Sequence, residues 1–399
     1  MIRLPRTSRS IARRFAIATI LVAGFASPAF ADTIKVGIIG PFSGPFANQG
    51  KNFQAGVEAW LAVNGKTVGD DEIEIVYRDL PAADPARSRA LAQELVVSES
   101  VQYLGGIYFT PDALAVAPLL EQANVPLVIF NAATSAITKQ SPLIVRTSFT
   151  LWQTSGPMAT VALERGIKKV ITAVSDYGPG ADAEAAFTKI FTDGGGEVVD
   201  SVRMPLATND FSPIMQRVRS SGAEAVFAFL PSGPTTLGFA RAYADNGLRA
   251  ANVQFLAPGD LTQESDLPAL GDTAEGLLTT FHYAISHDSP ENKAFVEAAG
   301  KAIGDPALLS FPSVGAYDGM RVIAKMIEAT GGEQDAAAAV EAVKGFTFES
   351  PRGPVTIDPE TRSPTQTIYL REVAKDAAGK LFNKEIASYP NTPDLGFPR

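Results

Sequence analysis

The feature that most constrains this chain is a strand–helix alternation that runs through once and then begins again. Short apolar runs bounded by turn residues read as buried strands of a parallel sheet, and the longer stretches between them as crossover helices. The first run places strands at 34–40 and 72–79, helices at 47–64 and 84–98, and an extended stretch at 143–149. The second places strands at 169–175, 197–204, 225–230, 253–256 and 276–284, with helices at 151–165, 181–192, 211–220 and 235–246. Helices at 290–303, 312–329 and 335–344 follow, then strands at 367–373 and 380–388. Two successive β/α runs of similar length imply an α/β protein of two doubly wound parallel-sheet lobes. The stretches near 149, 280 and 350 are the candidate crossings. They divide the chain into 32–149 plus 281–349 for lobe 1 and 150–280 plus 350–399 for lobe 2.

Residues 1–31 are a separate matter. Arg3, Arg6, Arg9, Arg13 and Arg14 precede an apolar stretch at 15–25, and Ala29-Phe30-Ala31 supplies a small-x-small end. This is the layout of a secretory signal peptide, cleaved after Ala31. General secretion is favoured over twin-arginine export. Removing those five arginines takes the net charge of the chain from −9 to about −14. Such an acidic chain without a basic cluster excludes nucleic acid and an anionic membrane as expected partners. With no cysteine, the exported protein stands on its hydrophobic core alone. Two histidines, His282 and His287, lack two-ligand spacing, so no metal and no cofactor are expected.

Two strand-to-turn junctions carry the chemistry. The first is Gly105-Gly106-Ile107-Tyr108-Phe109-Thr110-Pro111-Asp112; the second runs from Pro126 to Ser135 and includes Asn131-Ala132-Ala133-Thr134. Both read as buried strands ending in a hydroxyl at the carboxyl edge of the sheet, where open α/β folds hold ligands. Free N–H groups there, with a helix dipole behind them, favour a carboxylate. Thr110 is placed at the N-cap of a helix over 113–122, with Pro111 at N1 and Asp112 at N2; Pro118 is expected to kink or shorten it. A simple capping role for Thr110 competes with ligand binding.

The mature sequence resembles the periplasmic substrate-binding proteins of ABC importers, of the leucine/isoleucine/valine-binding type. The resemblance rests on Gly40-Pro41-Phe42-Ser43-Gly44-Pro45 with Gly50, on Ala132-Ala133-Thr134, and on Asp176-Tyr177-Gly178-Pro179-Gly180. It implies a two-lobed clamp with three hinge crossings (the type I arrangement) that holds its ligand between the lobes and passes it to an inner-membrane permease. It also implies that Thr110, Ala132 and Thr134 hold a ligand carboxylate and that Tyr177 supplies an aromatic wall from the second lobe. Tyr108 and Phe109 stand where relatives that bind aliphatic amino acids have small residues. The family's ammonium-binding acid aligns with Gly259, one place before Asp260.

The expected ligand is therefore a small carboxylate: an aromatic or aryl-aliphatic acid first, a branched-chain amino acid as the alternative. Tyr108, Phe109 and Trp152 would shape the apolar part. Asp260 has two readings, an ammonium partner or, with Gln263, a capping box for a helix starting at Leu261. Arg146 reads either as a carboxylate clamp or as a structural ion pair. A ligand-sensing receptor would share the clamp. A nicotinamide oxidoreductase is the remote rival, on Gly178-Pro179-Gly180-Ala181-Asp182-Ala183 with Asp200 downstream, but Pro179 removes an N–H where a pyrophosphate needs donors. No catalysis is expected, and the protein is expected to be a monomer.

Overall fold

The computed structural model describes residues 1–4 and 33–397. The signal-peptide reading falls on 1–31, of which 5–31 lie outside the described residues. Among the described residues no helix is long and apolar enough to cross a membrane.

The first sheet holds β1 (Thr33–Gly40), β2 (Thr67–Val68), β3 (Asp71–Asp79), β4 (Tyr103–Gly106), β5 (Leu127–Ile129) and β6 (Ile144–Arg146), in the order β2-β3-β1-β4-β5-β6. Its pairs are parallel except the short β2–β3 ladder. The strands β4, β5 and β6 are buried along their whole length, as a sheet covered on both faces requires. The second sheet holds β7 (Lys169–Ser175), β8 (Glu197–Met204), β9 (Ala225–Phe229), β10 (Gln254–Pro258) and β11 (Leu278–Phe281). It continues with β12 (Thr347–Ser350), β13 (Gly353–Ile357), β14 (Pro364–Lys375) and β15 (Leu381–Thr392). Its parallel part runs β8-β7-β9-β10-β11; beyond β11 the pairing turns antiparallel through β14.

Helices α1 (Ala47–Asn64), α2 (Pro85–Val97) and α3 (Thr110–Ala123) connect the first sheet, and α4 (Leu151–Glu164) and α5 (Gly178–Asp193) open the second lobe. Proline at the first turn and an acceptor before it start α2: the Asp84 side chain takes the Arg87 N–H at 3.0 Å. A capping box of Thr150 and Gln153 starts α4. The later helices Pro290–Ile303 and Pro312–Thr330 return to pack on α1. Both sheets point their carboxyl edges toward one cleft.

Three crossings join the lobes, at 147–150, 282–289 and 342–346. Aromatic rings lock the first two together: Phe149 lies 4.9 Å from Phe281 and stacks on His282 at 4.7 Å, and Phe311 meets Phe281 at 4.8 Å. Two fully buried arginines hold the crossing carbonyls. Arg352 donates to Ser148 O at 2.9 Å and pairs with Asp318 at 3.0 Å, and Arg371 donates to Tyr283 O at 2.6 Å. Removing either would leave buried carbonyls or a carboxylate unpaired, a loss of several kcal/mol.

Three details differ from the sequence reading. The strand at the first junction ends at Gly106 instead of running on to Phe109. Gly106 and Ile107 both take positive φ (101° and 63°), and the Ile107 N–H turns back to Ile39 O at 2.8 Å. A β-branched residue there is strained by about 1–3 kcal/mol, and the kink aims the next three side chains into the cleft. The hairpin β12–β13 has no counterpart in the reading, and residues 347–349, assigned to the first lobe, pair within the second sheet. Pro118 sits inside α3, which nevertheless runs unbroken from Thr110 to Ala123.

Candidate functional site

The kink at Ile107 makes Phe109, not Thr110, the N-cap of α3, and no side chain caps that helix. Thr110 is its first residue. Its hydroxyl lies 3.0 Å from that of Thr134, and both residues are buried. The capping role for Thr110 is thereby ruled out: its hydroxyl faces another hydroxyl across the cleft floor. Thr134 is fixed from behind, because the fully buried Arg146 donates to its carbonyl at 2.5 Å. The guanidinium leaves Nε and Nη1 without partners, and burial lowers its pKa to about 10, so it stays cationic. Among the described residues Arg146 has no salt-bridge partner within 4 Å, so the ion-pair reading is not borne out; it supports the turn and adds positive potential.

From the opposite lobe, the first residue of α5 closes on this pair. A Cβ at Gly178 would stand 2.7 Å from Thr134 Oγ1 and 3.4 Å from Thr110 Cγ2. The N-termini of α3 and α5, of 14 and 16 residues, thus converge on two hydroxyls, an arrangement that favours an anion. Asp112, in the first turn of α3, weakens that field less than its charge suggests. Burial raises its pKa to about 7 although Asp84 N–H donates to it.

Away from the threonines the walls are aromatic. A narrow cavity of about 20 Å³, room for one water, is lined by Tyr108, Phe109, Thr110, Asn131, Phe149, Tyr177, Phe229 and Asp260 among others. Tyr177 stacks on Phe229 with centroids 6.2 Å apart, and Phe109 meets Tyr108 edge-on at 4.9 Å. A larger hollow of about 570 Å³ lies elsewhere, at the tip of the β14–β15 hairpin beside Glu264 and Pro306. It has neither the paired hydroxyls nor the helix N-termini, so the smaller space is the better candidate.

Asp260 lines this cavity and is 6% exposed. It does not cap a helix. It lies inside a short 3-10 turn, Gly259–Thr262, whose N-cap is Pro258, and Gln263 instead accepts from Gln49 at 3.0 Å. The capping-box reading is corrected accordingly. Ser232 reaches Asp260 Oδ1 only at 3.5 Å, and Oδ2 has no partner. Burial pushes the carboxyl up to about 7, with partial relief from Arg371 and Ser232.

Of the other expected residues, Ala132 is buried but spends its N–H on Ile107 O at 3.2 Å. Its neighbour Ala133 lines the cavity in its place. Trp152 is not among the lining residues: its side chain hydrogen-bonds Asp182 and lies against Gly396 in the C-terminal tail. The reading missed Asn131, Phe149 and Phe229. Asn131 donates to Tyr108 O at 3.0 Å and leaves Oδ1 free. An asparagine following an apolar strand was the available signal; the two phenylalanines look like any core residue.

The sequence matches the periplasmic binding protein family over residues 33–379. It is 70% identical over 371 residues to a Leu/Ile/Val-binding protein homolog of Brucella melitensis, covering 93% of this chain and 95% of that one. Among solved structures it is similar to an ABC-transporter solute-binding protein of R. palustris in complex with 4-hydroxybenzoate. That likeness has 58% identity and a TM-score of 0.90, over 92% of this chain and 99% of the other. A second, from Rhodopseudomonas palustris BisB5 in complex with 3,4-dihydroxybenzoic acid, is 42% identical with a TM-score of 0.86, over 92% and 99% of the two chains.

Proposed function

This chain belongs to the periplasmic binding protein family, and from that footing we propose that it captures a small aromatic carboxylate for an ABC uptake system. The reading rests on one observation: the Thr110 hydroxyl, paired with that of Thr134 against two helix N-termini, lines an aromatic-walled cavity between two lobes. The hydroxyls and the Ala133–Thr134 turn receive the carboxylate, and Tyr177, Tyr108, Phe109, Phe149 and Phe229 enclose the ring. Because the cavity in this structure holds little more than a water, a ring enters only when the lobes part, and the liganded clamp closes around it less tightly than this. The protein then works as a monomeric, non-catalytic clamp without cofactor or nucleic acid, and delivers its ligand to an inner-membrane permease. Export requires cleavage after Ala31, and the lobes hinge at the crossings 147–150, 282–289 and 342–346.

A branched-chain amino acid is the second reading, favoured by the unpaired, buried carboxyl of Asp260 and by the name of the Brucella relative. A thermal-shift screen separates the two. Ligand at about a hundred times its Kd stabilises the folded protein by about 2.7 kcal/mol. The proposal expects that shift with benzoate or 4-hydroxybenzoate and none with leucine, isoleucine or valine; the reverse pattern refutes it.

A further inference from the structure

The strand order of the second sheet sets a length. Gly178, which meets Thr134 and Thr110, follows β7; Asp260 follows β10; and β9 lies between them, with β7–β9 and β9–β10 both paired. Two strand spacings separate the ends of β7 and β10, about 10 Å. Phe229, the last residue of the intervening β9, forms the floor, and Tyr177 stacks on it. The cavity therefore has an anion end at Thr110, whose hydroxyl touches that of Thr134, an apolar middle and an acceptor end at Asp260, whose Oδ2 has no partner.

Resting on the aromatic-acid reading above, we infer that Asp260 accepts a hydrogen bond from a donor on the far side of the ligand's ring, making the site selective for para-hydroxylated benzoates. An α-ammonium lies about 2.5 Å from its own carboxyl carbon and does not span the distance. A para-hydroxyl lies about 6 Å away, and hydrogen bonds of about 2.8 Å at both ends bridge the remainder. The Asp260 carboxyl is near enough to Tyr108 and Tyr177 to act on both electrostatically, the Tyr108 hydroxyl is engaged with Ser232, and Ser232 donates to the backbone carbonyl of Asp260 at 3.0 Å. Arg371, which donates to Gly259 O at 3.2 Å, supplies compensating charge from behind. Leaving Oδ2 unpaired in a buried site is costly, and a ligand hydroxyl removes that cost. A site built to bond a hydroxyl rejects the analogue that lacks it.

The test is calorimetry with benzoate, 4-fluorobenzoate, 4-hydroxybenzoate and 2-hydroxybenzoate on the wild type and on Asp260→Ala. The wild type is expected to bind 4-hydroxybenzoate roughly 10- to 100-fold tighter than benzoate or 4-fluorobenzoate, with no such gain for the ortho isomer. In Asp260→Ala the ratio of 4-hydroxybenzoate to benzoate falls to within about threefold, whatever the absolute affinities become. A ratio that survives in the variant overturns the assignment, as does equal wild-type affinity for the fluoro and hydroxy compounds, a comparison that needs no variant. Failure of the wild type to bind any benzoate overturns the aromatic-acid reading and this inference with it.

Discussion

Gly178→Ala separates closure of the clamp from the folding of its lobes. Gly178 has no positive φ, so alanine fits its backbone, and in the first turn of α5 it lowers the entropy of the unfolded chain, a gain of about 0.4–1 kcal/mol. The new methyl meets nothing within its own lobe closer than 3.4 Å, but it stands 2.7 Å from Thr134 Oγ1 across the cleft. Overpacking of this kind costs about 1–3 kcal/mol, and the cost falls only on the closed state. Because the ligand is held by the closed state, affinity drops by about 5- to 150-fold. Thermal unfolding without ligand is expected to stay at or above the wild-type Tm while calorimetry shows the weaker binding. Gly180→Ala is the control. A Cβ there stands 1.8 Å from Ser175 O inside the same lobe, so it lowers the Tm with or without ligand. Wild-type affinity in Gly178→Ala, or a Tm loss matching that of Gly180→Ala, would refute the placement of this contact between moving lobes.

Three further outcomes follow from the same geometry. Thr134→Val keeps the shape but removes a charge-assisted hydrogen bond of about 1.5–3 kcal/mol, so affinity for an aromatic carboxylate falls roughly 10- to 150-fold by calorimetry; an unchanged Kd moves the anion elsewhere. Burial raises the carboxyls of Asp260 and Asp112 to about 7 and Asp182 to about 6. The folded state therefore holds protons that the unfolded state has released above about pH 4, and the stability this brings is lost as pH rises from about 4 through 7. Urea unfolding at pH 5 and pH 8 is expected to show a smaller loss in Asp260→Asn than in the wild type, and an equal or larger loss contradicts the raised pKa. Mass spectrometry of protein taken from the periplasm is expected to show Asp32 at the N-terminus; retention of Met1 contradicts cleavage after Ala31.

Much of the fold was legible because both faces of its sheets are covered. Strands such as Leu127–Ile129 and Ala225–Phe229 then appear as unbroken apolar runs. The helices Ala47–Asn64 and Pro290–Ile303 declare themselves by length and, for the second, by Ser289 capping before a proline. What stayed hidden depends on contacts distant in sequence. The kink at Ile107 exists because its N–H finds Ile39 O in the neighbouring strand, which no local propensity for isoleucine predicts. Thr110 and Thr134 were readable as hydroxyls at adjacent strand ends, but not that they touch. Asp260 followed by Gln263 is a sound capping signal in isolation; the turn fails to become a regular helix, and its first residues are drawn instead to Ser232 and Arg371. Phe149 and Phe229 were lost among core phenylalanines because a strand's last inward residue has the same composition whether it meets a helix or a ligand. The sequence puts Trp152 on a cleft-side loop, yet the structure has its side chain at Asp182 and against Gly396 of the C-terminal tail.

The central claim is that an aromatic carboxylate closes this clamp. Titration calorimetry of the mature protein with 4-hydroxybenzoate, paired with small-angle scattering of the same samples, tests it most directly. One molecule bound per chain, with a smaller radius of gyration at saturation and no heat on addition of leucine, is the predicted result. Leucine binding tightly while 4-hydroxybenzoate leaves both heat and radius unchanged would contradict it.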